Sequence, residues 1–143
     1  MAGRAEPKAF SPAAKALLVG EILATYGRVR WWLLRGGLPS AVGAARNCTV
    51  TGATKTRDRG FEQLLGLRLG RAVSRTLGVL PADSRCLVRS LVLTRLLARR
   101  GIDSSLVIGV SVEPRFAAHA WVESCGLPLL PTNGLEFARL ARL

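Results

Sequence analysis

The chain has 143 residues, 49% of them apolar and 6% aromatic, and it carries a formal net charge of +12. That length suits one domain, or one domain with a helical preamble, and it allows a sizeable core that Leu, Val, Ala and Ile must fill. Three irregularly placed cysteines, Cys48, Cys86 and Cys125, fit neither a disulfide framework nor a zinc motif, and no uncharged apolar run is long enough to span a bilayer. The first ten residues lack the apolar stretch of a signal peptide. A reducing cytoplasm, where a thiol stays free, is therefore the expected location. Almost all the positive charge is arginine, since lysine occurs only at Lys8, Lys15 and Lys55. Such a surface attracts acidic peptides, anionic lipid or nucleic acid, or simply keeps the chain soluble.

After a loose tail over residues 1–10, Ser11 and Pro12 supply an N-cap and a first helical position. Leu18, Ile22, Tyr26, Val29 and Leu33 recur at helical spacing, which predicts a helix to about Leu34, stopped by Gly36 and Gly37. Trp31 and Trp32 sit near its end; one ring is expected to pack in the core and the other to cover it partly, or to form a docking patch. A short helix is expected through "SAVGAARN", then a polar loop through "CTVTGATKTRDRG". Phe61, Leu64, Leu65, Ala72, Val73 and Leu77 define a second helix that Gly78 ends. "VLPADSR" is a connector in which Asp83 or Ser84 can cap the next helix.

That next helix is "RCLVRSLVLTRLLARRG", where Cys86, Ser90, Leu93 and Leu97 share a face. Leu106–Val112 and Phe116–Glu123 read as an antiparallel hairpin. Leu127–Leu130 reads as a third short strand, and "NGLEFARLARL" as a short terminal helix. Helices first and strands after them predict an α+β fold, a helix packed on a small antiparallel sheet. The expected division is an N-terminal helical region with its loop over residues 1–60 and the core over 61–143.

This order permits cysteine chemistry. A nucleophilic cysteine must be a thiolate, and a helix N-terminus favours that form. Cys86 falls in the first turn of its helix, with Arg85 and Arg89 nearby, and the free amides of that turn can also bind an oxyanion. The base must be histidine within reach, and His119 is the only one in the chain. Strand alternation puts His119, Trp121 and Glu123 on one face. The plain alternative is a small buried thiol and a structural imidazole. Cys48 and Cys125 have no helix start of their own and read as incidental thiols. No metal or cofactor motif is present.

"LPADSRCLVRSLVLTRLLARRGIDSSLVIGV" followed by "FAAHAWVESCGLPL" resembles the transglutaminase-like cysteine-peptidase superfamily, and within it the B proteins of lasso-peptide biosynthesis. The resemblance covers roughly residues 61–130. It implies a papain- or transglutaminase-like core and leader-peptide cleavage of a ribosomally made precursor. By position it makes Cys86 the nucleophile and His119 the general base. The family also uses an aspartate beyond the histidine, yet no aspartate follows Asp103 here. Asn133 is the candidate third member, able to hold an imidazole through its carbonyl oxygen, with Glu123 and Glu136 as fallbacks and a dyad as a further option. Residues 1–60 show no β-hairpin of a leader-recognition domain, so the chain resembles the split type. Its implied partners are the precursor peptide, a separate leader-recognition protein and the macrolactam cyclase.

Two rival readings stand beside this one. The same scaffold can pass an acyl group to an amine instead of water. Alternatively, the chain is a basic, non-catalytic adaptor for peptide, lipid or nucleic acid. Specific nucleic-acid recognition is not expected, because no stacking motif, helix-turn-helix or zinc pattern is present.

Overall fold

The structure is a computed structural model that describes residues 11–47, 58–80, 85–130 and 137–143. Three helices precede four strands: α1 (Pro12–Arg46), α2 (Arg59–Gly78), α3 (Arg85–Arg99), β1 (Ser105–Ser111), β2 (Ala117–Ser124), β3 (Leu127–Pro128) and β4 (Ala138–Arg142). The strands form one antiparallel sheet in the order β3-β2-β1-β4. The α+β architecture expected from the order of patterns is therefore the one observed, with helix α3 packed on the sheet.

Helix α1 starts as its sequence dictates. Ser11 accepts a hydrogen bond from the Ala14 amide at 3.2 Å, and Pro12 occupies the first turn. The expected stop at Gly36 and Gly37 is a kink: Gly37 takes φ 68°, and the helix resumes through Pro39 to Arg46. A positive φ is cheap only for glycine. The short helix expected in "SAVGAARN" is the second arm of α1. The loop expected after it, including Cys48, lies outside the described residues up to residue 57. Asp58 caps α2 through the Gly60 amide.

Helix α3 is the centre of the core. Val88, Leu91, Val92, Leu93, Leu96 and Leu97 are all buried, as are Ser90 and Thr94. The helix is enclosed on most of its surface, since α1, α2, β1 and β2 all pack on it, and Arg89, Arg95 and Arg99 occupy its partly open positions. Ile22, Val29, Ala41 and Ala45 of α1 join the same cluster, with Leu69, Val73 and Leu77 of α2. Polar ties fix the packing. Arg95 donates to the Ala44 carbonyl at 2.8 Å, satisfying an acceptor in the last turn of α1, and its guanidinium lies 4.9 Å from the Trp32 ring centre. Glu21 of α1 pairs with Arg99, the last residue of α3, at 3.3 Å and with Arg100, just past it, at 2.8 Å. The two tryptophans divide as expected: Trp32 is half-buried against the core, and Trp31 is exposed.

The hairpin of β1 and β2 matches the expected strands to within a residue. Leu106 pairs with Val122, Ile108 with Ala120 and Gly109 with His119. The third strand is shorter than the expected Leu127–Leu130, although the Leu129 amide still donates to the Val122 carbonyl at 2.8 Å. The terminal segment corrects the sequence reading: residues 138–142 are strand β4, not a helix. "ARLAR" carries apolar residues at both helical and alternating spacing, and pairing decides between them. β4 covers the edge of β1 left open by the hairpin, and Leu143 and Leu106 exchange amide–carbonyl bonds at 2.8 Å.

Gly66 and Gly70 bring α2 against the end of the sheet. A Cβ on Gly70 would overlap the Leu129 carbonyl oxygen, and one on Gly66 would meet the Leu129 side chain at 3.0 Å. A helical Gly→Ala change normally stabilises by about 1 kcal/mol. Gly70→Ala is expected to destabilise by about 1–3 kcal/mol because the backbone must part. Gly20→Ala, with nothing within 4 Å of the new methyl, is expected to stabilise. Urea titration of both variants checks the opposite signs.

Candidate active site

Cys86 is the second residue of α3, a free and half-buried thiol. The first four amides of a helix have no intrahelical partner and present partial positive charge. The thiol therefore stands where the sequence reading expected it. Asp83 and Ser84, the expected caps, lie outside the described residues.

Two hydrogen bonds orient this helix on the sheet. Ser90 Oγ donates to the Ala120 carbonyl at 3.0 Å, fully buried, and Ser124 Oγ donates to the Asp103 carbonyl at 2.9 Å. Ser90 lies near the start of α3, and Asp103 lies just past its end. The helix therefore runs alongside β2 in the same direction. Cys86 stands one turn before Ser90, about 5.4 Å along the axis, and so comes level with β2 near Ala118 and His119. The Val122 carbonyl points to β3, so by the period of two the Ala120 carbonyl points off the same edge. β3 is too short to reach it, and Ser90 takes it instead. The first turn of α3, which carries the thiol, thus lies level with the part of β2 that carries His119.

The imidazole is set in aromatic company. His119 stacks on Phe137 with ring centres 5.2 Å apart and on Trp121 at 6.0 Å. Trp121 Nε1 donates to Glu123 Oε1 at 2.9 Å, and Arg139 Nη2 donates to the same oxygen at 3.0 Å. These contacts bear out the common face of His119, Trp121 and Glu123. Opposite His119 stands Gly109, where a Cβ would come within 2.8 Å of both Phe137 and the Trp121 ring. Glycine there is what lets β4 and its phenylalanine close over the histidine's strand.

The Glu123 carboxylate is only 4% exposed and is held by tryptophan and arginine. Trp121 stands between it and His119 along the strand. Asn133 and Glu136, the other candidates for a third member, lie outside the described residues. Cys125 sits exposed in the tight turn after β2 with φ 52°, away from any helix start. Among the described residues no group of three His, Cys, Asp or Glu side chains could hold a metal ion. The residues whose part the sequence reading missed are Ser90 and Phe137. A small hydroxyl among buried leucines and valines of a helix is a signal of a buried hydrogen bond. Phe137 gave none, because its position depends on the pairing of β4.

Three helices and a small antiparallel sheet, with a half-buried thiol at the start of the central helix and a histidine on a strand of the sheet that packs on it, make up a transglutaminase-like α+β core. A comparison with protein families bears this out: residues 16–142 match the Transglutaminase-like superfamily, and the chain belongs to it. The match begins within α1 and runs to the last residue of β4. Members of this superfamily are in general cysteine peptidases and acyltransferases. No curated protein and no solved structure matches the chain.

Ser90→Ala is expected to leave the Ala120 carbonyl buried without its partner, at a cost of about 1–3 kcal/mol. Chemical denaturation reads that loss. Ser90→Thr, which keeps the hydroxyl, is expected to lose less.

Proposed function

We propose that the chain is a cysteine peptidase that removes the leader from a ribosomally made lasso-peptide precursor in the cytoplasm, acting with a separate leader-recognition protein. The observation that supports the chemistry is the Ser90–Ala120 bond, which aligns α3, the helix of Cys86, along β2, the strand of His119. The substrate class and the partners rest on the motif resemblance around Cys86 and "AHAWVE".

In this reading His119 takes the proton of the Cys86 thiol, and the thiolate attacks the peptide carbonyl at the leader–core junction. The first-turn amides of α3 hold the oxyanion. As the tetrahedral intermediate collapses, the C–N bond breaks and imidazolium gives its proton to the leaving amine, which is the new N-terminus of the core peptide. The leader is left as a thioester on Cys86. Water, deprotonated by His119, attacks the thioester and releases the leader carboxylate. Asn133 is the proposed third member, accepting from the imidazole and fixing its tautomer. The freed amine is what a macrolactam cyclase needs next, which makes that enzyme the natural neighbour in the sequence of reactions. Transfer of the acyl group to an amine shares the first half of this scheme and differs only in the acceptor.

With precursor and recognition protein present, Cys86→Ala is expected to abolish cleavage, and His119→Ala to slow it by about 10²–10⁴-fold. Cys125→Ala is expected to leave the rate unchanged. Mass spectrometry of the products reads all three, and a leader fragment ending in a free carboxylate, even with added amine, identifies water as the acceptor. Undiminished trimming by Cys86→Ala would refute the assignment.

A further inference from the structure

Helix α1 is apolar on both sides. One face packs against α3. The opposite face is open, and Leu23 is 44% exposed, Trp31 54% and Leu34 79%. With 3.6 residues per turn, Ala16, Gly20, Leu23, Gly27, Trp31 and Leu34 fall on one outward stripe running up to the Gly37 kink. Charge stands only at the borders of that stripe: Arg30 on one side, Arg28 and Arg35 on the other, all exposed. Arg35 is folded over the Trp31 ring at 3.9 Å, and Arg30 donates to the Tyr26 hydroxyl at 3.1 Å. Glu21 is the only acidic residue of α1, and it is turned to Arg99 and Arg100. The outer surface of the helix therefore offers leucine and tryptophan framed by cations, with no anion.

We infer that this face of α1 docks on the surface of an anionic lipid bilayer, with Leu23, Trp31 and Leu34 entering the acyl boundary and Arg28, Arg30 and Arg35 reaching the headgroup phosphates. An apolar stripe bordered by arginine and bearing a tryptophan is the pattern of a helix lying in the interface. Charge selects this occupant over a second copy, because two chains of +12 repel each other. No helix among the described residues is long and apolar enough to cross a membrane, so the contact is in the plane. The docking face involves neither Cys86 nor His119 and stands independently of the peptidase reading.

The test is sedimentation of the full chain with vesicles of phosphatidylcholine alone or mixed with phosphatidylglycerol. The chain is expected to partition to the acidic vesicles. Arg28→Gln, Arg30→Gln and Arg35→Gln together are expected to weaken that partitioning by about a hundredfold. With brominated lipid in the acidic vesicles, tryptophan fluorescence is expected to be quenched, and Trp31→Phe to remove most of the quenching. Failure to sediment with acidic vesicles would overturn the proposal. So would sedimentation undiminished in the Leu23→Asp/Leu34→Asp double variant, since the charge would then act elsewhere. A lipid-free dimer that the same double variant converts to monomer would assign the face to a second copy and would overturn it equally.

Discussion

The burial of helix α3 is the constraint on which the rest of the structure depends. Its side chains from Val88 to Leu97 are almost all enclosed, so three elements must close around it: α1 on one side, α2 on another and the sheet on a third. Deep burial alone would leave the helix free to slide or rotate. Ser90 removes that freedom. A buried carbonyl without a partner is costly, so the Ala120 oxygen holds the helix at one register against β2. The first turn of α3, with Cys86 and Leu87, lies at the margin of the core and is partly buried against it. Core and site are thus one device, in which apolar burial supplies the energy and a single hydroxyl supplies the alignment.

The sheet is built for the same end. β2 is paired along its length with β1, but β3 is only two residues long, so among the described residues no strand pairs with the edge near Ala118 and Ala120. On the other side of the hairpin, β4 closes the edge of β1 and brings Phe137 to His119. Glu123, held by Trp121 and Arg139, ties the base of this aromatic group to β4. The carboxylate next along the strand from the histidine thus organises tryptophan and arginine, which fits its buried position better than contact with the imidazole.

Much of this was legible in the sequence, for reasons that are local. The start of α1 is written in Ser11 and Pro12, the break in Gly36 and Gly37, and the hairpin in β-branched runs around a turn. The face shared by His119, Trp121 and Glu123 follows from alternation alone. Distant pairing was less legible. "ARLAR" satisfies two periodicities, and only the open edge of β1, some thirty residues earlier in the chain, makes it a strand. Phe137 was hidden for that reason, and the helical terminus expected there was wrong. Ser90 was visible as a residue but not as a latch, because its acceptor is a backbone atom that no sequence pattern marks.

The central claim is that the first turn of α3 makes Cys86 a reactive thiol beside His119. The most direct measurement is alkylation of the native chain by iodoacetamide at neutral pH, with the labelled cysteine mapped by mass spectrometry over time. The account predicts that half-buried Cys86 labels faster than exposed Cys125, and that His119→Ala removes that advantage. Faster labelling of Cys125, in the order that exposure alone dictates, would contradict it.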